Sequence, residues 1–372
     1  MSNAKNIPAD ILVNQKQEKY SEGIRKFQGC PTIAVTKGGR LFAGWYSGGI
    51  CEPHIENYNL IVYSDDKGKT WSEPIVIIPS NEEKMFQALD IQLWISPDGN
   101  LHVFWVQNDV TKANEKYCTD EYKGKRGFTT DDGHLCVGGY YFDDKVHACW
   151  NMVCENPDDN EIKFSKPRCI GTGFLRCKPL ITRNKEWVLF NYDQTNENYG
   201  YSVSLDNGKT FERRYGAKKI ETPFDETMAY QKDDGEIRMF ARSTVGEIAE
   251  SSTYDLINWT KAKKTGIISP NTRFYIQKLK SGRILLVNND HSKIRTNMSI
   301  YLSEDDGKTF KYKYMLDDVG ETSYPDVDVL YDEIFLVYDR GRCKEKEILF
   351  TKFTENDIIN NNPISVSIIS KP

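Results

Sequence analysis

Several things are scarce in this chain, and each absence removes a class of protein. No long apolar run occurs: stretches such as Ile284-Leu285-Leu286-Val287 fall far short of a membrane span, which needs roughly 18 residues. There is no basic excess, since 49 Lys+Arg stand against 54 Asp+Glu for a net charge of −5 in 372 residues. Nucleic acid and anionic membrane surfaces both call for a basic patch, so neither is expected as main partner. The first ten residues hold no apolar stretch of the secretory type, so the sequence as it stands reads as cytoplasmic, with export of the native protein left open. The nine cysteines lack the CxxC spacing of a structural zinc site. His134-x-Cys136 and His147-x-Cys149, with Cys118 and Cys154 nearby, are therefore expected to be reduced, buried thiols and no metal centre. No glycine-rich phosphate loop is present, so no cofactor is expected.

What the chain does have is a repeat. Ser64-Asp65-Asp66-Lys67-Gly68-Lys69-Thr70-Trp71 recurs in form at Ser204–Phe211 and Ser303–Phe310. A degenerate copy runs from Ser252 through Asp255 to Trp259, and a weaker one from Cys154 to Phe164. Successive copies from 154 onward lie about 50 residues apart, the period of a β-propeller with four strands per blade. Each box reads as a hairpin device: Asp and Gly make the turn, hydroxyls bind backbone, and the aromatic packs between blades. The wider gap from 64 to 154 places a loop insertion at about 108–139.

Six hairpins follow from apolar runs that flank polar turns. They are Pro31–Ala43, Ile91–Val106, Pro179–Phe190, Thr227–Ala241, Phe274–Val287 and Pro325–Tyr338. The expected fold is thus all-β, one six-bladed propeller over about residues 20–370, with the two chain ends completing one blade together. In such a fold the residues just before each first strand converge on one rim. Those are Gly29/Cys30, Asp90, Lys178, Glu226, Arg273 and Tyr324. Residues 226 and 242 are equidistant from turn residue 234, which sets Arg242 across the ladder from Glu226. Acids, bases and a tyrosine gathered at one mouth suggest a site.

These features resemble the sialidase (neuraminidase) superfamily, and most closely its bacterial BNR, or Asp-box, exo-α-sialidase-like members. Asp225-Glu226-Thr227 with Met239-Phe240-Ala241-Arg242 is similar to the segment that carries the family's general base and one arginine of its carboxylate-binding triad. Asn271-Thr272-Arg273-Phe274 is similar to the segment of another triad arginine, and Ser323-Tyr324-Pro325 to the nucleophilic-tyrosine strand. Tyr46-Ser47-Gly48-Gly49-Ile50-Cys51-Glu52-Pro53 resembles the loop of the catalytic acid, which makes Glu52 the first candidate and Glu56 the second. One departure is plain. Where the family carries Arg-x-Pro, this chain has Gly29-Cys30-Pro31, with Arg25 or Lys178 as candidate replacements.

The resemblance implies a retaining exo-glycosidase for a terminal α-linked sialic acid or related acidic sugar, with a glycan as partner. The chemistry is coherent on its own terms. A carboxylate nucleophile would be repelled by a sugar acid, whereas a tyrosine relieved of its proton by a glutamate would not. Arginines suit a planar carboxylate. Two alternatives stand beside this reading: a propeller glycosidase or polysaccharide lyase for a uronic or neutral sugar, and a non-catalytic carbohydrate-binding propeller.

Overall fold

The computed structural model describes residues 2–222 and 224–372. All six expected hairpins form, with strand pairs such as Phe27–Val35 with Leu41–Gly48 and Thr322–Leu330 with Glu333–Arg340. The fold is all-β and of the propeller type. Two compact units are present, one of residues 1–174, 341–348 and 368–372, the other of 175–340 and 349–367.

Burial explains why these segments become strands. The second strand of a blade is buried on both faces, as in Ile284–Asn289, apolar through Val287 and closed by two buried asparagines. The outer strand alternates, as Lys263–Ile268 does, with charged residues facing water. That pattern suits a packed sheet whose outermost edge meets solvent. Each box closes a turn as expected. Ser64 Oγ donates to Asp66 Oδ1 at 2.8 Å, while Thr70 N–H and Oγ1 donate to the same carboxylate at 2.9 and 2.7 Å. The boxes at Asp206 and Asp305 repeat this network. With so many donors, all three carboxyls are held down at about 2. The degenerate copy starts at Thr253, whose hydroxyl donates to Asp255. Its Trp259 packs on Tyr201 and Phe190 of the preceding blade.

Three expectations need correction. Among the described residues five blades are found where six were expected: four sheets have four strands and the first has five, whereas the sheet headed by Phe86–Ile95 has six and Phe174–Leu175 pairs with Asn191–Tyr192 in a separate two-stranded sheet. The six-stranded sheet takes in the insertion, which is not a loop throughout. Its first residues extend the strand Leu101–Lys112, and the short strands Phe128–Thr129 and Leu135–Val137 join the same sheet. Tyr117, Tyr122, Phe128 and Cys136 give it a small core of its own. Nor do the chain ends share a blade. Leu12–Val13 pairs with Val76–Pro79 at the edge of the first sheet, and Val366–Ser370 ends the last.

A repeated backbone feature prepares the site. Pairing along the first hairpin slips by one residue between Gly29 and Thr32, and likewise between Leu89 and Gln92 and between Ser323 and Asp326. Each slip is a bulge holding one extra residue. Cys30, Asp90 and Tyr324 occupy these bulges at φ 57°, 54° and 55°, and Glu226 is left-handed too, at φ 29°. Non-glycine residues there cost roughly 1–3 kcal/mol each, and such strain gathers at functional positions.

Candidate active site

The second unit brings three expected residues together, Tyr324, Glu226 and Arg242. Tyr324 OH donates to Glu226 Oε1 at 2.6 Å. Arg242 Nη1 reaches Glu226 Oε2 at 2.7 Å and Tyr324 OH at 3.1 Å. Hairpin symmetry anticipated that pairing, although the Arg242 N–H donates to the carbonyl of Asp225 at 2.9 Å. Arg242 Nε is fixed by Asn271 Oδ1 at 2.7 Å, and Phe224 lies 5.2 Å over its guanidinium.

Adjacent carboxyls in this segment are pushed in opposite directions. Burial raises the Glu226 carboxyl, but the charges of Arg242 and Arg176 and the Tyr324 hydroxyl outweigh it, so it lies below the ordinary glutamate range. Asp225 is equally buried and has Lys219 Nζ at 3.1 Å. There burial wins, and the carboxyl is pushed up to about 6. Environments that split two carboxyls in this way define which one works as an anion.

Arg273 and Lys178 occupy a different place from the one expected. Arg273 is fully buried, and its Nη2 donates to Asp326 Oδ1 at 2.7 Å and to the Pro325 carbonyl at 2.9 Å. Lys178 Nζ donates to Asp326 Oδ2 at 2.8 Å and to the Val327 carbonyl at 2.7 Å. Neither residue has the left-handed turn that Glu226 and Tyr324 have. Their side chains run into the interior and hold the strand that carries Tyr324. Arg273 Cζ also lies 5.9 Å from the Tyr324 ring centroid, so both residues support the strand of the tyrosine and Arg273 borders the tyrosine itself.

Two arginines were missed. Arg176 Cζ lies 5.3 Å from the Tyr324 ring centroid, and Arg295 Cζ lies 5.6 Å from it. Arg295 Nη2 also donates to the Asn271 carbonyl at 3.3 Å. Arg176 stands two residues before Lys178, the position counted to the rim. Arg295 comes from the loop between a second and third strand, where a rule built on first strands cannot look.

The first unit holds the remaining candidates. Cys30 Sγ is 3.9 Å from Glu52 Oε1, and Arg342 Nη1 is 3.0 Å from Glu52 Oε2. Ligand-type atoms of Cys30, Glu52 and Asp90 lie within 4.8 Å of one another, the one such group among the described residues. A cation there would compete with Arg342 for Glu52. Glu56 lies apart and largely exposed, with His54 Nδ1 at 3.8 Å, which leaves Glu52 the better acid candidate. Asn57 pins that loop, accepting from Gly49 N–H at 2.7 Å and donating to Tyr46 OH and the Cys51 carbonyl, both at 2.8 Å. Arg25 is buried and donates to Ser370 Oγ at 3.1 Å and to the Tyr20 carbonyl at 3.3 Å. It ties down a chain terminus and does not replace the arginine missing at position 29. The nine cysteines are free.

The chain belongs to the BNR repeat-like domain family, whose model matches residues 39–336. Among solved structures, it is similar to the NanB sialidase of Streptococcus pneumoniae, at 16% identity over 94% of this chain and 71% of that one, with a TM-score of 0.65. The intramolecular trans-sialidase of Ruminococcus gnavus is similar at 14% identity, 94% and 98% coverage and a TM-score of 0.66. A protein of unknown function from Dyadobacter fermentans is similar at 16% identity, 90% and 95% coverage and a TM-score of 0.62. No curated protein matches. These likenesses establish the fold. Among the described residues no helix is long and apolar enough to cross a membrane.

Proposed function

We propose that the chain is a retaining exo-glycosidase of the sialidase type, acting on a terminal α-linked sialic acid or a related acidic sugar of a glycan. The observation that supports it most is the 2.6 Å bond from Tyr324 OH to an ionised, buried glutamate, set among arginines. The Tyr324 oxygen attacks the anomeric carbon while its proton passes to Glu226 Oε1. The glycosidic C–O bond breaks, and the departing oxygen takes a proton from Glu52, assigned on its motif alone. Water then attacks the anomeric carbon, giving its proton to the carboxylate that served as acid, while the tyrosyl–sugar bond breaks and Glu226 returns its proton to the phenol oxygen. Negative charge developing on that oxygen is stabilised by Arg242 at 3.1 Å. A sugar-binding platform without catalysis has no use for this couple. Arg242, with Arg295 beside it, supplies the cations for the sugar carboxylate. A panel of 4-methylumbelliferyl glycosides tests the reading: the sialoside should be cleaved, and cleavage of a neutral glycoside alone would contradict it.

Glu226→Gln keeps the shape and removes the base, so kcat should fall about 10²–10⁴-fold with little change in KM. A change in KM alone would make Glu226 a binding residue. The pH profile gives a second readout. A base must be ionised to work, and Glu226 lies below the ordinary glutamate value, so kcat/KM should hold until pH falls below about 4.3. An acid limb near 6 would instead assign the base to Asp225.

A further inference from the structure

The Tyr324–Glu226 couple uses one of two adjacent buried carboxyls. The other, Asp225, is 1% exposed. A carboxylate is costly to bury unless a cation or donors meet it. Lys219 meets this one, with Nζ at 3.1 Å from Asp225 Oδ1. The lysine is itself held twice, since Nζ donates to the Asp193 carbonyl at 2.6 Å and its N–H to the Glu197 carbonyl at 2.8 Å. The Asp225 carbonyl is held too, accepting from the Arg242 N–H at 2.9 Å. Residue 225 is thus gripped through side chain and backbone, one position before the base.

That grip matters because of the backbone it precedes. Glu226 sits at φ 29°, and a non-glycine residue keeps such a conformation only where its surroundings over-determine it. Tyr324 and Arg242 fix the head of the Glu226 side chain, at 2.6 and 2.7 Å. The backbone needs a hold of its own. We propose that Asp225 is a positioning residue, whose contact with Lys219 holds the turn that aims Glu226 at Tyr324. This role rests on the reading above, in which Glu226 takes the tyrosine proton. Asp225 serves as an acceptor, so its oxygen and shape count more than its charge. A protonated carboxyl or an asparagine amide still accepts from the Lys219 ammonium.

The test uses the full chain and the 4-methylumbelliferyl sialoside, with kcat, KM, the pH profile and the thermal midpoint read together. Asp225→Ala should lower kcat about 10- to 100-fold with KM little changed, the scale of a misplaced catalytic group. It should also move the acid limb of kcat/KM upward, because a Glu226 drawn off Arg242 and Tyr324 loses the contacts that hold it low. Asp225→Asn keeps the acceptor and should recover most of kcat, with the limb back in place. Asp225→Ala strands Lys219 with Arg213 as a second cation in the surroundings. If that variant does not fold, Asp225→Ala with Lys219→Met leaves no charge of the pair unmatched and should show the same slow turnover and raised limb. A folded Asp225→Ala with a lowered midpoint but wild-type kcat and limb would overturn the positioning role and leave Glu226 as base. Asp225→Asn as slow as Asp225→Ala would overturn it too, by making the charge essential. Undiminished turnover in Glu226→Gln would remove the base reading and the role of Asp225 with it.

Discussion

Tyr324→Phe is expected to lose turnover by several orders of magnitude while the protein stays folded. The hydroxyl is the group that would bond to the sugar, and its loss removes the covalent route outright. Little else changes. Glu226 keeps its 2.7 Å contact with Arg242, and the ring keeps its place among the arginines. One hydrogen bond is lost, for about 1–2 kcal/mol of stability. Steady-state kinetics on the best substrate, with circular dichroism as the folding check, decides the matter. Near-normal turnover would remove Tyr324 from the chemistry.

The largest stability effect should come from Asp326→Ala, a residue that touches no substrate in this account. Asp326 is fully buried and accepts from both Arg273 and Lys178. Removing it strands two cations in the interior, which costs about 3–5 kcal/mol where one partner of a buried pair is deleted. The midpoint of urea unfolding should fall accordingly. Replacing Arg273 and Asp326 together with apolar residues should be milder than the single change, because no charge of that pair is left unmatched. A midpoint unchanged by Asp326→Ala would mean the cluster does not hold the Tyr324 strand.

Much of this was legible in the sequence because the fold repeats itself. The boxes mark the outer turns by fixed chemistry, and six alternating runs mark the inner hairpins. Counting to the residue before each first strand then found Glu226 and Tyr324, and hairpin symmetry found Arg242. The same count reached Lys178 and Arg273, but the letters do not carry what their side chains touch. The left-handed backbone of Glu226 and Tyr324 is absent at 178 and 273, whose side chains reach Asp326. Arg176 and Arg295 lay off the counted positions. The insertion reads in the sequence as a loop, but its aromatics pack against one another and its strands join a sheet.

The central claim is that Tyr324 forms a covalent bond to the sugar with Glu226 taking its proton. It is tested most directly by incubating the protein with a 2,3-difluorinated sialic acid and mapping the adduct by mass spectrometry. In that step the Tyr324 oxygen bonds to the anomeric carbon, fluoride leaves with the bonding electrons, and the phenol proton passes to Glu226. The second fluorine slows the release of the adduct, so it persists. The account predicts one sugar per chain, on the peptide containing Tyr324, with no adduct in Tyr324→Phe. An adduct on Glu226, or turnover of the sialoside with no adduct on Tyr324, would contradict it.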